Sequence, residues 1–302
     1  MTAAKPYVAV VGAVNVDLWG RSFVPLVPRD SNPGEVRVSF GGVGRNIAHN
    51  LRLLGAEVEL LTALGGDAWA EQVEADCRSL GIGLNRALRL PEARTGSYLY
   101  ISGPDGDLAL AVCDTDIARY INAEALLRQM AFLNGAAAVV FDGNLTPEAL
   151  DCLTEQCTAP LFADPVSVTK ARKLAPVLGH IHTLKPNALE AAALTGEADP
   201  ARAAEALAAK GVGHAFVSDG AGGLYLAEGA GVTHFPCPPT RLVNATGGGD
   251  AAMAALAQSF VSGLSSEQAA RRALAAGSLA VECEETINPA LSEAALAGKM
   301  GV

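Results

Sequence analysis

Three consecutive glycines followed by an aspartate, at residues 247–250, are the part of this sequence best suited to chemistry. Apolar residues recur at helical spacing from residue 253 to residue 260, so the pattern predicts that the glycines lie at the start of a helix. Free N–H groups and the positive end of the helix dipole make a helix start an anion site. There, the carboxylate of Asp250 is placed to accept the proton of a hydroxyl that attacks a phosphate. Phosphoryl transfer and a capped glycine-rich turn explain this stretch, taken alone, equally well.

A second group of glycine and polar residues lies near the N-terminus. The short apolar run Tyr7–Val11 predicts a buried strand, and alternation places the following Asn15 and Asp17 on one face. The sequence Gly-Gly-Val-Gly-Arg-Asn at residues 41–46 again precedes a helical pattern, and its glycines would let a ligand approach the backbone closely. Short polar side chains beside such a backbone suit sugar hydroxyls. When Asn15 and Asp17 are considered alone, a capped turn is the better interpretation.

Two later stretches have the residue types of a nucleotide site. Asn187 and Glu190 follow a predicted strand at the spacing of a helix cap, and a carboxylate there also suits a water of Mg²⁺. When this pair is considered alone, the cap is the better interpretation. Residues 218–223 are rich in glycine and link two predicted strands, which fits either a hairpin loop or a backbone cover for a nucleotide.

Strand and helix patterns alternate through most of the chain and predict an α/β fold. The predicted strands cover residues 58–64, 137–142, 160–164, 180–185 and 215–218. The predicted helices cover residues 69–80, 123–134, 147–156, 188–194 and 201–210. Strands separated by such helices form a mostly parallel central sheet with helices on both faces. Ligands then bind at the carboxyl ends of the strands.

Two segments lack this alternation, at residues 18–40 and 94–113. Each contains a pair of strand-like pieces with no helix between them, and Gly-Pro-Asp-Gly at residues 103–106 is a strong turn signal. We interpret both segments as a small antiparallel β lid that is inserted within the domain and stands off its main part. The sequence has no long linker and no internal repeat, which predicts that residues 1–302 form a single domain with this lid.

The composition restricts the classes of partner. A formal net charge of −10 argues against a nucleic-acid-binding surface, which needs clustered Lys and Arg. No window approaches the roughly 18 apolar residues of a membrane span, and the N-terminus has no signal-peptide pattern. The six cysteines are scattered, which favours reduced thiols over a disulfide framework. We therefore expect a cytoplasmic protein that binds neither nucleic acid nor membrane.

Taken together, these motifs resemble those of the ribokinase-like (PfkB) sugar and nucleoside kinases. Residues 41–46 and residues 244–250 (Asn-Ala-Thr-Gly-Gly-Gly-Asp) are similar to the two signatures of that family, and Asn187-x-x-Glu190 is similar to its Mg²⁺-associated motif. The likeness covers essentially the whole chain, in the same order. It implies a ribokinase-like fold and, with Mg²⁺, transfer of a phosphoryl group from ATP to an alcohol of a nucleoside or sugar.

The resemblance also implies a role for each site residue. The catalytic group would be Asp250 as the base, with Gly247, Gly248 and Gly249 as the anion hole. The substrate-binding residues would be Asn15, Asp17, Gly41, Gly42, Arg45, Asn46 and Asn144. The ATP-binding residues would be Asn187, Ser218, Gly220 and Gly223. The metal-associated residues would be Glu190, through a water of Mg²⁺, and Asn244 and Thr246, beside a monovalent cation such as K⁺.

Further stretches favour pseudouridine as the acceptor. Five stretches are similar to those of the family members that phosphorylate its 5′-hydroxyl: residues 30–34, 41–48, 164–167 and 182–187, and the stretch around residues 288–289. The alternatives are a kinase for another nucleoside or for ribose, and a non-catalytic nucleoside sensor that has kept the fold.

The sequence also departs from the family pattern at two positions. Asn244 stands where the family commonly has Asp, and Gly248 stands where it has Ala. The first change removes a charge near the monovalent cation of relatives, so dependence on K⁺ is left open. The open strand edges of a lid also predict a homodimer formed through the lid.

Overall fold

The computed structural model describes residues 6–229 and 231–301. The strands are β1 (Tyr7–Val11), β2 (Asn15–Ser22), β3 (Gly34–Gly41), β4 (Glu57–Leu61), β5 (Ala63–Gly65), β6 (Leu88–Leu90), β7 (Ser97–Ser102), β8 (Leu108–Asp114), β9 (Ala138–Asp142), β10 (Leu161–Asp164), β11 (Thr183–Leu184), β12 (His214–Ser218), β13 (Leu224–Glu228) and β14 (Gly231–Phe235). The helices are α1 (Val43–Leu53), α2 (Ala68–Ser79), α3 (Ala123–Asn134), α4 (Pro147–Gln156), α5 (Val168–Ala171), α6 (Ala188–Thr195), α7 (Pro200–Ala209), α8 (Gly248–Val261), α9 (Ser266–Val281) and α10 (Glu293–Met300). Short 3₁₀ segments cover Asp116–Tyr120, Arg172–His180 and Gly220–Gly222.

The main sheet has eight strands in the order β14-β13-β12-β11-β10-β9-β1-β4. Neighbouring strands are parallel from β12 to β4, and β13 and β14 extend the sheet in antiparallel fashion. The mostly parallel sheet is therefore confirmed. It brings the carboxyl ends of the central strands to one edge, where the polar residues that follow them meet.

Alternate residues of the central strands pack against opposite layers of helices. Val8 and Val10 of β1 lie in one core with residues of α1 and α8, whereas Ala9 and Val11 lie in another with residues of α3 and α4. Each fully buried valine of this kind stabilises the fold by roughly 1.5–3 kcal/mol. Helices on both faces are thus confirmed, and within the described residues none is both long and apolar enough to cross a bilayer.

Two predicted strands differ from the structure in extent. The predicted strand 58–64 divides into β4 and β5, because β4 pairs with β1 while β5 turns away to pair with β6. The predicted strand 180–185 is reduced to the two residues of β11, because a 3₁₀ segment that contains Pro176 occupies the chain up to His180. In both regions the apolar pattern correctly predicts a strand, but it does not show at which residues the strand begins or ends its hydrogen bonding to a neighbour.

A separate four-stranded sheet, in the order β3-β2-β7-β8, confirms the lid. Its outer pairs are antiparallel and its two middle strands, β2 and β7, run parallel. A row of directly opposed residues, Val38, Leu18, Leu99 and Val112, defines what we call the outer face of the lid, which is apolar. Val38, Leu99 and Val112 are exposed, whereas Leu18 is half-buried and packs against the main core. The inner face carries Asp17 and the aromatic residues Trp19, Tyr98 and Tyr100.

Arg272 of α9 connects three helices and so fixes the position of α8. It is buried, its Nε donates to Ser259 Oγ of α8 at 2.9 Å, and its guanidinium forms a two-pronged pair with Glu293 of α10. A further bond reaches Gln258 of α8 at 2.6 Å. A guanidinium can satisfy so many acceptors because its donors form a rigid fork.

Replacing Arg272 with Met should lower the free energy of unfolding by about 2–3 kcal/mol, because three acceptors lose a charged donor. The neighbouring Arg271 is exposed above the ring of Phe235, so Arg271→Met serves as the matched control, with an expected loss below about 1 kcal/mol. Urea unfolding followed by tryptophan fluorescence and circular dichroism measures both variants. A single domain predicts coincident transitions in the two signals, and equal stability of the two variants would contradict the role of Arg272.

Candidate active site

The glycine turn before α8 has the geometry that its sequence predicts. Gly247 has φ +84°, and a Cβ there would come 1.9 Å from the carbonyl oxygen of Thr286. Both the conformation and the space therefore require glycine. A Cβ on Gly248 would lie 2.9 Å from Cγ1 of Val281, so that side chain fills the space an alanine would use. Asp250 lies in the first turn of α8, close to the free N–H groups.

Asp250 accepts a hydrogen bond from Asn46. The distance from Asn46 Nδ2 to Asp250 Oδ2 is 2.9 Å, so the starts of α1 and α8 meet at this bond. Burial and, to a smaller extent, the nearby carboxylate of Asp164 raise the pKa of Asp250 to about 7. The bond from Asn46 and the charge of Lys185 act in the opposite direction. The result is a carboxyl group that can gain or lose a proton near neutral pH.

Lys185, which the sequence reasoning did not select, lies in the centre of this site. It is buried, and its Nζ is 3.1 Å from Asp164 Oδ2. Burial lowers the pKa of Lys185, but the carboxylates of Asp164 and Glu190 outweigh burial and raise it above its usual value. A Cβ on Gly249 would come 3.2 Å from Nζ, so a positive charge lies directly beside the glycine turn. The sequence does contain a signal for this residue, because Lys185 lies at the carboxyl end of a predicted strand, where ligands bind in such folds.

A cavity of about 650 Å³ adjoins Asp250. All the predicted ATP-binding residues line it: Asn187, Ser218, Gly220 and Gly223. Lys185, Glu190 and Gly249 line it as well. Apolar side chains such as Leu242, Leu274 and Val281 form another part of its wall. The cavity therefore combines a polar, glycine-rich end with an apolar part, as expected for a nucleotide-sized ligand.

Asn187 and Glu190 form the capping box of α6. Asn187 Oδ1 accepts from the Glu190 N–H, and Glu190 Oε2 accepts from the Asn187 N–H, both at 2.9 Å. The structural interpretation of this pair is therefore correct. Burial raises the pKa of Glu190, and its carboxylate also lines the cavity. The cap does not exclude a role toward a metal-bound water, because it uses only one of the two carboxylate oxygens.

Residues predicted to hold the acceptor lie at the start of α1 and in the adjoining strands β2 and β3. Asn15 is opposite Gly41 in the register of β2 and β3, and a Cβ on Gly41 would come 2.0 Å from Oδ2 of Asp17. Burial raises the pKa of Asp17 to about 6, while the charge of Arg45 lowers it. Oδ1 of Asn15 and Oδ1 of Asn46 are buried and have no hydrogen-bond partner among the described residues. Buried acceptors of this kind are costly unless a ligand satisfies them.

Asp142, at the end of β9, holds the acceptor side together. Its Oδ2 accepts from the N–H groups of Ala13 at 2.9 Å and Gly44 at 3.1 Å. A Cβ on Gly12 would come 2.4 Å from the same oxygen, so only glycine allows this contact. One carboxylate thus fixes the end of β1 against the first turn of α1. Burial raises the pKa of Asp142.

Some predicted site residues make contacts within the protein instead of facing the cavity. The guanidinium of Arg45 pairs with Asp76 of α2 at 2.7 Å, and Asn144 Oδ1 accepts from Lys170 at 2.5 Å. Asn244 Nδ2 donates to the Glu284 carbonyl, and Asn244 Oδ1 accepts from the N–H of Thr246. These side chains position segments of the site, and their proposed ligand contacts stay predictions.

Comparison with known proteins assigns the family. Residues 5–294 match the model of the pfkB family of carbohydrate kinases. The chain is 38% identical over 295 residues to a pseudouridine kinase of Escherichia coli K12, which covers 95% of this chain and 94% of that protein. It is 36% identical over 295 residues to an uncharacterized sugar kinase, YeiI, of the same strain, which covers 95% of this chain and 82% of that protein.

The fold agrees with this assignment. A ribokinase from Thermotoga maritima has a TM-score of 0.88 at 20% identity, covering 99% of this chain and 100% of that one. The mostly parallel main sheet and the separate lid sheet are thus a ribokinase-like arrangement. With a family match over nearly its whole length and two relatives above 30% identity, the chain belongs to the pfkB family of carbohydrate kinases.

Proposed function

We propose that this kinase transfers the γ-phosphoryl group of ATP to the 5′-hydroxyl of pseudouridine. The phosphoryl-transfer part rests on one observation, the hydrogen bond from Asn46 to Asp250, which joins the two glycine-rich helix starts at a carboxyl group with a pKa of about 7. The choice of pseudouridine is supported by the 38% identity with the Escherichia coli pseudouridine kinase over 95% of the chain.

In the proposed reaction, Asp250 accepts the proton of the 5′-hydroxyl while the hydroxyl oxygen attacks the γ-phosphorus. The bond from that phosphorus to the bridging oxygen breaks, and ADP leaves with the oxygen. The N–H groups at the start of α8 stabilise the charge on the transferred group, and Lys185 adds a positive charge beside Gly249. Positioning and charge stabilisation are the main contributions that a protein makes to this chemistry.

ATP would occupy the cavity lined by Asn187 and residues 218–223. The carboxylates of Asp164, Glu190 and Asp250 act on Lys185, the one cation among them, so the charge at this site suits a divalent cation. Within the described residues, no cluster of three His, Cys, Asp or Glu side chains is arranged to hold a metal. Glu190, which lines the cavity, would bind a water of Mg²⁺, and the ion would offset the charge of the ATP phosphates.

The acceptor ribose would lie between the lid and α1. Asn15 and Asn46 offer buried acceptor oxygens without partners, and Asp17 offers a carboxylate for two neighbouring hydroxyls. Gly41 and Gly42 are proposed to border the sugar, at positions where a Cβ would overlap Asp17 or Ala13. Asn144, just past β9, is proposed to reach the sugar as well. The alternative acceptor is another nucleoside or ribose, favoured by the 36% identity with the sugar kinase YeiI.

The proposal also includes a monovalent cation and a cytoplasmic location. The cation would lie beside the loop of Asn244 and Thr246, and comparing activity in K⁺ with activity in choline tests that role. All six cysteines are free, as expected for the reducing cytoplasm in which we place the reaction.

We also propose that the kinase is a homodimer formed through the outer face of the lid. Val36, Val38, Leu110 and Val112 of this face are 77%, 47%, 60% and 57% exposed. An exposed apolar surface of this kind usually marks an interface. A second copy of the chain presents the same surface, so a two-fold axis would bury both.

The acceptor is tested by incubating the enzyme with ATP and pseudouridine, uridine, inosine or ribose, and following the products by mass spectrometry. We expect turnover of pseudouridine. Asp250→Asn should lower kcat by about two to four orders of magnitude, because an amide cannot act as the base. Nucleoside binding should be largely kept, because Asn has nearly the same size and shape as Asp. Turnover of ribose without turnover of pseudouridine would refute the proposed acceptor, and a fully active Asp250→Asn variant would refute the proposed base.

The pH profile tests the environment of Asp250. Since the base must be deprotonated, kcat/KM should be constant above its pKa of about 7 and fall about tenfold per pH unit below it. The hydrogen bond from Asn46 favours the charged form of Asp250, and Asn46→Ala removes it. The pH below which kcat/KM falls should therefore be higher in this variant. Asp17→Asn removes a carboxyl group with a pKa of about 6 and is the control, because the fall in kcat/KM that Asp250 causes should begin at the same pH as in the wild type. If this pH were also unchanged in Asn46→Ala, the assignment of the fall to Asp250 would be contradicted.

The dimer is tested by light scattering after size-exclusion chromatography. The wild type should have twice the monomer mass of 30.8 kDa. Val38→Lys should shift it to the monomer, because two buried charges would meet across the two-fold axis. Leu127→Lys is the control, since Leu127 is equally apolar and 53% exposed on α3, outside the lid. A monomeric wild type, or a dimeric Val38→Lys variant, would refute this interface.

A further inference from the structure

The inner face of the lid carries a row of stacked side chains that the proposed reaction does not use. The Arg37 guanidinium lies 5.2 Å from the centre of the Trp19 ring. Trp19 stacks on Tyr100 with ring centres 6.3 Å apart, and Tyr100 contacts Tyr98 at 5.4 Å. Trp19 is further held by its Nε1 bond to Ser102 Oγ at 2.9 Å. The row is therefore a fixed platform and not a set of independent surface rings.

The row ends at Tyr98, on the side of the acceptor site. Tyr98 is directly opposite Asp17 in the register of β2 and β7. Within the described residues, the ring of Tyr98 has no aromatic or cationic neighbour besides Tyr100. Arg37 closes the other end of the row, so Tyr98 is the ring left to accept a further flat group.

The next position beyond Tyr98 on the same face has no side chain. Alternation along β7 places Gly96 there, and a Cβ on Gly96 would come 2.9 Å from Oδ1 of Asn15. That oxygen is buried and lacks a partner. The end of the row therefore adjoins the unsatisfied Oδ1 of Asn15 and the carboxylate of Asp17.

We propose that Tyr98 stacks on the planar base of the acceptor, so that the lid selects nucleosides over free sugars. This inference rests on the proposed function. With the 5′-hydroxyl at Asp250 and the ring hydroxyls at Asp17, the base leaves the ribose at the end away from the reacting oxygen. A base that stacks on Tyr98 continues the row Trp19–Tyr100–Tyr98 by one ring, which aromatic platforms for single nucleotides commonly do.

The test compares the binding of pseudouridine and ribose to the full chain by titration calorimetry without ATP. Wild type should bind pseudouridine more tightly than ribose. Tyr98→Leu should weaken pseudouridine binding about 5- to 100-fold and change ribose binding by less than about twofold, since only the base loses its contact. Tyr98→Phe keeps a stacking ring and should keep the preference. Tyr225→Leu, which changes the same residue type on β13 outside the lid, is the matched control.

The inference would be overturned by a wild type that binds ribose as tightly as pseudouridine, or that binds neither. It would also be overturned by a Tyr98→Leu variant that keeps its preference for pseudouridine, including one that loses affinity for both ligands in the same proportion. Binding is measured without phosphoryl transfer. A failed kinase assay would therefore refute the proposed function, whereas the calorimetric comparison would still test the stacking of the base on Tyr98. Tyr98→Phe provides the same test if Tyr98→Leu is unstable, since a loss of preference there would contradict stacking.

Discussion

The site depends on the hydrogen bond that Asn46 donates to Asp250. The two residues belong to helices that start at glycine-rich turns, one near each end of the chain, and only the folded sheet brings these starts together. The bond does more than join the helices, because it opposes the rise in pKa that burial and Asp164 impose on Asp250. Asp142, which accepts from Ala13 and Gly44, holds the first turn of α1 in the position from which Asn46 reaches across.

Charge is distributed unevenly around that bond. Lys185 pairs with Asp164 under the glycine turn, and Glu190 adds a further carboxylate, so the protein surrounds the cavity with more negative than positive groups. An acidic chain that handles phosphates therefore depends on a few fixed positive features, namely the start of α8 and one buried ammonium group. Such features are fixed before the reaction, so they need no reorganisation when charge moves.

Most of the architecture could be predicted from local patterns, because alternating apolar strands and helices determine a parallel sheet. Strand limits could not, since β5 and β11 are set by pairing partners distant in sequence. The same reason explains why Lys185 was missed, and why the contacts of Arg45 with Asp76 and of Asn144 with Lys170 were not foreseen. Residue type indicated polarity at the right edge of the sheet, whereas each side chain's partner depends on tertiary contacts.

The contact between Gly248 and Val281 has a consequence for how this sequence could change. The branched methyl group of Val281 lies where a methyl at position 248 would need to be, so the two positions share one volume. Substituting either alone leaves an overlap or a void, whereas exchanging bulk between them conserves packing. The unusual glycine and the valine on α9 are thus a compensated pair, and ancestral or engineered versions of this turn are expected to vary at both positions together.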